Sequence, residues 1–215
     1  MTIRRLFCLL LVPTLLAGLA SSIEASDQSS GPEDADLFKG ESVDLFFYQN
    51  RFFSFDMTIP GDWHVLSTEE LLRLLKKEGT GGEEAIESGA VTCLVSISKY
   101  QPAKRGPKGE LNPNIVLIAM GLSELPGIKT GKDYIELFKA TEKAMGMKAR
   151  SDPYPVQLGG IELWRFDYTE PGPEITYSAQ IVTVRKGYTL GFQLSAGSKA
   201  DMTKLEDILK SLHFE

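Results

Sequence analysis

Cysteine is nearly missing from this chain, with two in 215 residues. Cys8 sits in an apolar N-terminal run, so Cys93 is alone in the remainder and an internal disulfide there is excluded. Histidine is equally scarce. His64 and His213 each neighbour an aromatic residue, Trp63 and Phe214, and no HxxxH or HxH spacing occurs. Zinc-type sites need convergent ligands at such spacings, so no metal site is expected from them. No GxSxG elbow is present either, which leaves a histidine-based triad without a nucleophile. Gly79-Thr80-Gly81-Gly82 has no Lys-Ser/Thr after it and reads as a loop, not a phosphate cradle. Basic excess is lacking too: 23 Lys and Arg stand against 29 Asp and Glu, for a net charge of −6. That balance argues against nucleic acid as a main partner, while leaving a local basic patch open.

Only one long apolar run exists, residues 6–20, interrupted by Pro13, Thr14 and Gly18. It follows Arg4 and Arg5 and leads into small residues, the pattern of a secretory signal peptide. The expected segment is 1–20, with cleavage after Ala20 or as late as Ala25. An uncleaved anchor is the alternative, disfavoured because a membrane span needs about 20 apolar residues. No cysteine follows the run where a bacterial lipoprotein would need one. Residues 21–42 are rich in Ser, Asp, Glu, Gly and Pro and read as a disordered linker. Residues 43–215 then read as one domain. The expected location is periplasmic or extracellular, with no stable membrane span after cleavage.

What is present is a series of folding signals. Phe53, Phe55, Met57 and Ile59 alternate with Ser54, Asp56 and Thr58, the period of a half-buried strand. Pro60-Gly61-Asp62 breaks it, and Trp63 is expected to pin the corner. Strands are also expected at 91–98, 115–120, 154–158, 161–169, 175–184 and 188–195. Gly159-Gly160 is a strong hairpin signal. Three capping boxes, Ser67 to Glu70, Thr130 to Asp133 and Ser198 to Asp201, open helices. The second carries Tyr134, Leu137, Phe138 and Met145, with Gly146 as its C-cap. The third carries Met202, Leu205, Ile208, Leu209 and Leu212. The fold class is therefore α/β (α+β), a central mostly antiparallel sheet with helices packed on it.

Residues with chemical potential each carry a plainer alternative. Cys93 is placed with Val91, Val95 and Ile97 on one strand face, favouring a buried inert thiol over a nucleophile. Glu69, Glu70, Glu78, Glu83, Glu84 and Glu87 could gather a divalent cation. They lack the alternating Asp/Asn spacing of a calcium loop and read as a solvated acidic stretch. Trp164 reads as core. Lys99, Lys104, Arg105 and Lys108 put four positive charges into ten residues of an acidic protein, within the long loop 99–114. Long loops in compact domains are frequently functional, so these four are the candidate partner-binding residues. No catalytic residue, metal ligand or cofactor is expected.

The order of elements resembles the PsbP-like superfamily, which includes the extrinsic PsbP subunit of photosystem II and the Ran-binding Mog protein. The resemblance is carried by Tyr48, Asn50, Phe53, Phe55, Ile59, Pro60 and Trp63, then by Asn112, Pro113, Asn114 and Ile115. It continues through Lys132, Asp133, Tyr134, Lys186, Gly187 and Tyr188 to Ile208, Leu209, Leu212 and Phe214. It implies an antiparallel sheet with helices on both sides, a three-layer sandwich, and the exported bacterial branch of that superfamily. It implies function only weakly, because fold does not fix function. The expected role is a non-enzymatic accessory or binding protein acting through surface loops on an envelope or extracellular protein or an anionic partner. The alternatives are a carrier of a small apolar ligand, which needs an enclosed cavity, and a hydrolase using His64 or a buried carboxylate pair.

Overall fold

The structure is a computed structural model that describes residues 42–44, 47–67, 69–71, 73, 91–101, 106, 110–141, 144, 146–172 and 176–215. The expected signal segment, the linker up to residue 41 and the acidic stretch 79–88 lie outside the described residues. Among the described residues no helix is long and apolar enough to cross a membrane.

The strands form two sheets in which every pairing is antiparallel. The smaller has β1 (Ser42–Asp44), β2 (Phe47–Asn50), β3 (Phe55–Thr58) and β12 (His213–Phe214), in that spatial order. The larger includes β4 (His64–Leu66), β5 (Thr92–Ser98), β6 (Asn114–Gly121), β7 (Lys148–Ala149) and β8 (Tyr154–Leu158). It is completed by β9 (Ile161–Thr169), β10 (Tyr177–Arg185) and β11 (Tyr188–Ala196). Its order is β4-β5-β6-β11-β10-β9-β7, with β8 also paired to β9. Helix α1 (Gly131–Thr141) packs on β9 and β10, and helix α2 (Lys199–Leu209) on β10 and β11.

Two cores lie on the two faces of the large sheet. One holds Phe53, Phe55, Met57 and Ile59 with Leu190, Phe192 and Leu194, closed by Leu205 and Leu209 of α2. The other holds Val116, Ile118, Phe166, Tyr168 and Val182 under Tyr134, Ile135 and Phe138 of α1, joined by Leu71. Burying apolar surface on both faces explains why the middle strands read as continuous apolar runs. The expected sheet with helices on both sides is observed. One of its faces also carries the small sheet, a layer that the alternation of single strands could not announce.

Local signals behave as their chemistry requires. Thr130 Oγ1 accepts from the Asp133 N–H at 3.2 Å, and Asp133 Oδ2 accepts from the Thr130 N–H at 2.8 Å. The Lys129 N–H, the first cause, together with the Thr130 donors holds the Asp133 carboxyl below its usual range. Ser198 Oγ likewise accepts from the Asp201 N–H, and the Ser67–Glu70 box closes in the same way. Only residues 69–71 and 73 of the helix after it are described. Gly159 and Gly160 have φ of 60° and 84°, the left-handed pair that a two-residue hairpin turn demands.

Two expectations change. The strand expected from Phe52 starts at Phe55, because residues 51–54 form a turn with Ser54 at φ 53°. The Asn50 side chain accepts from the Phe53 N–H at 3.0 Å and ties that turn. Cys93 is buried, but it does not share a face with Val95 and Ile97. The register shifts between Cys93 and Val95. A β-bulge puts one extra residue on its strand, so side chains beyond it change face. Val91 and Cys93 therefore enter the α1 core, and Val95 and Ile97 enter the other.

The α1 face of the large sheet also buries amides. Gln180 and Gln193 stand opposite each other on β10 and β11, at 0% and 3% exposure. Among the described residues neither the Gln180 Nε2 and Oε1 nor the Gln193 Nε2 has a hydrogen-bond partner. A buried polar group without a partner costs about 1–3 kcal/mol. Gln180→Met removes the amide at similar volume and is expected to stabilise the protein by about that amount. The check is a higher urea midpoint at unchanged slope; a lower midpoint would mean that the amide is bonded in solution.

Candidate functional site

Helix α2 separates two open clefts. On one side Trp63, Pro60 and Thr58 face Lys204, Ile208 and Ser211 across a groove of about 340 Å³. The groove exists because the chain turns sharply after β3. The Trp63 backbone N–H donates to the Pro60 carbonyl at 2.9 Å, fixing the corner at which the side chain is half-buried. Its rim charges are neutralised nearby: Lys204 pairs with Asp201 at 2.8 Å, and Asp207 with Lys210 at 2.7 Å.

Lys99, the first of the four expected cations, borders this corner. It directly follows β5, and its ammonium is bonded to Asp62 and lies 5.7 Å from the Trp63 ring centroid. Lys99 thereby holds the Asp62 carboxyl below its ordinary range. Lys104, Arg105 and Lys108 lie outside the described residues.

The base of their loop is firmly built. Asn112 Oδ1 accepts from the Tyr100 N–H at 2.9 Å, while its Nδ2 donates to the Tyr100 carbonyl at 2.9 Å. Asn112 is buried, so this clasp also satisfies its amide. Gly106 lies against the Tyr100 ring, where a Cβ would come within 2.6 Å of Cε2. The asparagines of the NPNI stretch therefore close the loop: Asn114 Nδ2 donates to the Asn112 carbonyl at 3.0 Å.

On the other side of α2 lies a cleft of about 310 Å³, lined by Arg150, Arg165, Asp167, Tyr177, Lys199, Met202 and Glu206, among others. Arg165 is its anchor. Its Nη2 bonds Asp167 at 2.7 Å and Glu206 of α2 at 2.6 Å, and its Nε bonds Asp167 at 3.0 Å. Burial opposes the Arg165 charge, but these carboxylates outweigh it and hold the group further protonated. The Tyr154 hydroxyl donates to Asp167 at 2.6 Å. Burial first, and that bond second, push the phenol up to about 12. The network ties the β8–β9 hairpin to α2.

Sequence reasoning did not find this cluster. A signal was present: Arg165 and Asp167 occupy the face of β9 that Leu163 turns to the core, because alternate residues share a face. Two charges at inward positions mark a paired polar site. Their partner Glu206 is 41 residues from Arg165 and could not be named from the strand.

Other sequence candidates sit apart from both clefts. His64 and His213 are exposed on β4 and β12. Trp164 is half-buried against the α1 core, with the Lys132 ammonium 5.1 Å from its ring. Glu70 serves its cap and Glu69 pairs with Arg73 at 2.6 Å. Among the described residues no group of three His, Cys, Asp or Glu could hold a metal ion.

No protein-family model matches the chain, and no curated protein does. Solved structures similar to it include cyanobacterial PsbP from Synechocystis sp. PCC 6803, at 13% identity and TM-score 0.48. That match covers 89% of this chain and 98% of the other. LpqN, involved in cell envelope biogenesis of Mycobacterium tuberculosis, is 18% identical with TM-score 0.44, covering 74% of this chain and 82% of LpqN. PA94, a protein of unknown function from Pseudomonas aeruginosa, is 16% identical with TM-score 0.37, covering 71% and 83%.

Proposed function

We propose that this protein is an exported, non-enzymatic binding protein whose partner is another protein outside the cytoplasm. The partner presents an acidic segment to the cations of loop 99–114. An apolar residue of that segment enters the groove beside Trp63. One observation supports this reading above the others: Lys99, at the root of the loop, stands against Trp63 at the groove, so charge and apolar contact adjoin. Tryptophan is among the residues enriched at the energetic centres of protein interfaces, where a partner buries it, and charged groups beside such a centre set orientation and capture rate. The carrier reading calls for an enclosed apolar cavity, whereas both clefts beside α2 are open to solvent.

The test is co-purification of the tagged mature chain from its native envelope fraction, beside a variant with Lys104, Arg105 and Lys108 changed to Ser. A partner retained by the native chain, lost by the variant and released by raised salt is the expected result. The same partner on both forms would remove the loop from the binding surface. If neither retains a protein, the accessory reading gives way to a small-molecule one.

A further inference from the structure

We propose that the cleft on the far side of α2 binds a small organic oxyanion, a carboxylate or phosphate ester carrying a short apolar body. The site is separate from the loop and groove above. The Arg150 guanidinium stacks on Tyr177, with Cζ 4.5 Å from the ring centroid. Its backbone N–H donates to the Asp167 carbonyl at 2.8 Å, fixing the residue beside the network. Among the described residues this guanidinium has no carboxylate partner, and neither does the Lys199 ammonium across the cleft. Two uncompensated cations therefore face one concavity of a protein whose net charge is −6.

The two carboxylates lining the cleft do not cancel that field. Asp167 is occupied by Arg165 and Tyr154, and Glu206 by Arg165. The bonds of Arg165 run from Nε and Nη2, so among the described residues both hydrogens on Nη1 are without an acceptor. A planar guanidinium held on an aromatic ring presents its N–H edge at fixed orientation, the geometry that suits a carboxylate or phosphate bidentately. Tyr177 and Met202 supply apolar wall. A cleft of about 310 Å³ is at the small end of ligand sites, which limits the body to one ring or a short chain.

The experiment uses benzoate and phenyl phosphate as probes, with benzamide as a neutral shape match, followed by NMR on the native chain. Arg150→Gln and Lys199→Gln are the test variants, and Lys129→Gln on the exposed surface is the control. The expected result is saturable shifts at Tyr177 and Met202 from one or both anions, with none from benzamide. Affinity should fall about tenfold or more in Arg150→Gln, as loss of a charge-assisted bond requires, and stay unchanged in Lys129→Gln. The stronger anion tells carboxylate from phosphate. Absence of shifts up to probe solubility overturns the proposal. So does equal response to benzamide, or binding that Arg150→Gln and Lys199→Gln leave intact. Both test positions are exposed, so the fold is retained in the variants and a loss reads on binding.

Discussion

Phe55→Ala is expected to remove about 3–5 kcal/mol of stability, the range for deleting a fully buried phenylalanine. Phe55 is 2% exposed on β3 of the small sheet. Its ring centroid lies 5.7 Å from Tyr48, 5.5 Å from Phe214 and 6.0 Å from Phe192. Tyr48 and Phe214 belong to the small sheet, and Phe192 to the central strand of the large one. One side chain thus joins three strands of one layer to the other layer. Alanine would leave a void that close-packed aromatic neighbours cannot fill without giving up their edge contacts. In a domain of this size the loss corresponds to a fall of roughly 10 °C in Tm. Urea unfolding at constant slope measures it, with Phe47→Ala as the reference. Phe47 is 39% exposed, so that change should stay within about 0.5 kcal/mol. A loss below about 1 kcal/mol at Phe55 would mean that the two sheets are not joined through this ring.

The second large effect falls on the charge network. Arg165→Ala leaves Asp167 and Glu206 without their shared counter-ion, while Tyr154 still occupies one of the carboxylates. Breaking a fully buried pair by removing one partner costs about 3–5 kcal/mol. The carboxylate side chains here are 20% and 33% exposed, and water recovers part of that, so about 2–3 kcal/mol is expected. The loss should appear as faster amide exchange along α2, because Glu206 is the helix's charged tie to β9. Unchanged exchange in α2 would sink this account.

The phenol of Tyr154 adds a pH signature. The fold holds it protonated to about 12, against 10.0 for an ordinary tyrosine. A raised pKa contributes stability that is whole below the unfolded value and lost as pH rises through the folded one. The difference between native protein and Tyr154→Phe should therefore be constant below pH 10 and shrink between pH 10 and about 12. A difference that does not change across that window would show that the hydroxyl is not held in this bond.

The relation of sequence to structure follows chain separation. The capping pairs act over three residues, so Thr130 with Asp133 and Ser198 with Asp201 could be read directly. The Gly159-Gly160 turn aligns β8 and β9 by itself, and Lys186-Gly187 does the same for β10 and β11. The alternation at Phe55, Met57 and Ile59 named core residues correctly, because a strand of either sheet obeys the same period. The strand at 188–196 taught the opposite lesson. Its Thr189, Gln193 and Ser195 alternate with apolar residues as a solvent face would, yet all are buried.

The sequence by itself determined the local elements: helix starts, hairpin turns, the antiparallel pairing of neighbouring strands and the apolar face of α2. Those depend on hydrogen bonds and periodicities within a few residues. Only the tertiary structure decided that β3 stays out of the main sheet and takes the distant β12 as its second neighbour. It alone decided that a bulge at Cys93 exchanges the faces of β5, and that Arg165 meets Glu206 and Lys99 meets Asp62. Each of those contacts joins segments distant in the chain, or turns on a single unpaired residue within a strand. No local periodicity records them, because they are selected by the packing of the whole layer rather than by neighbours in sequence.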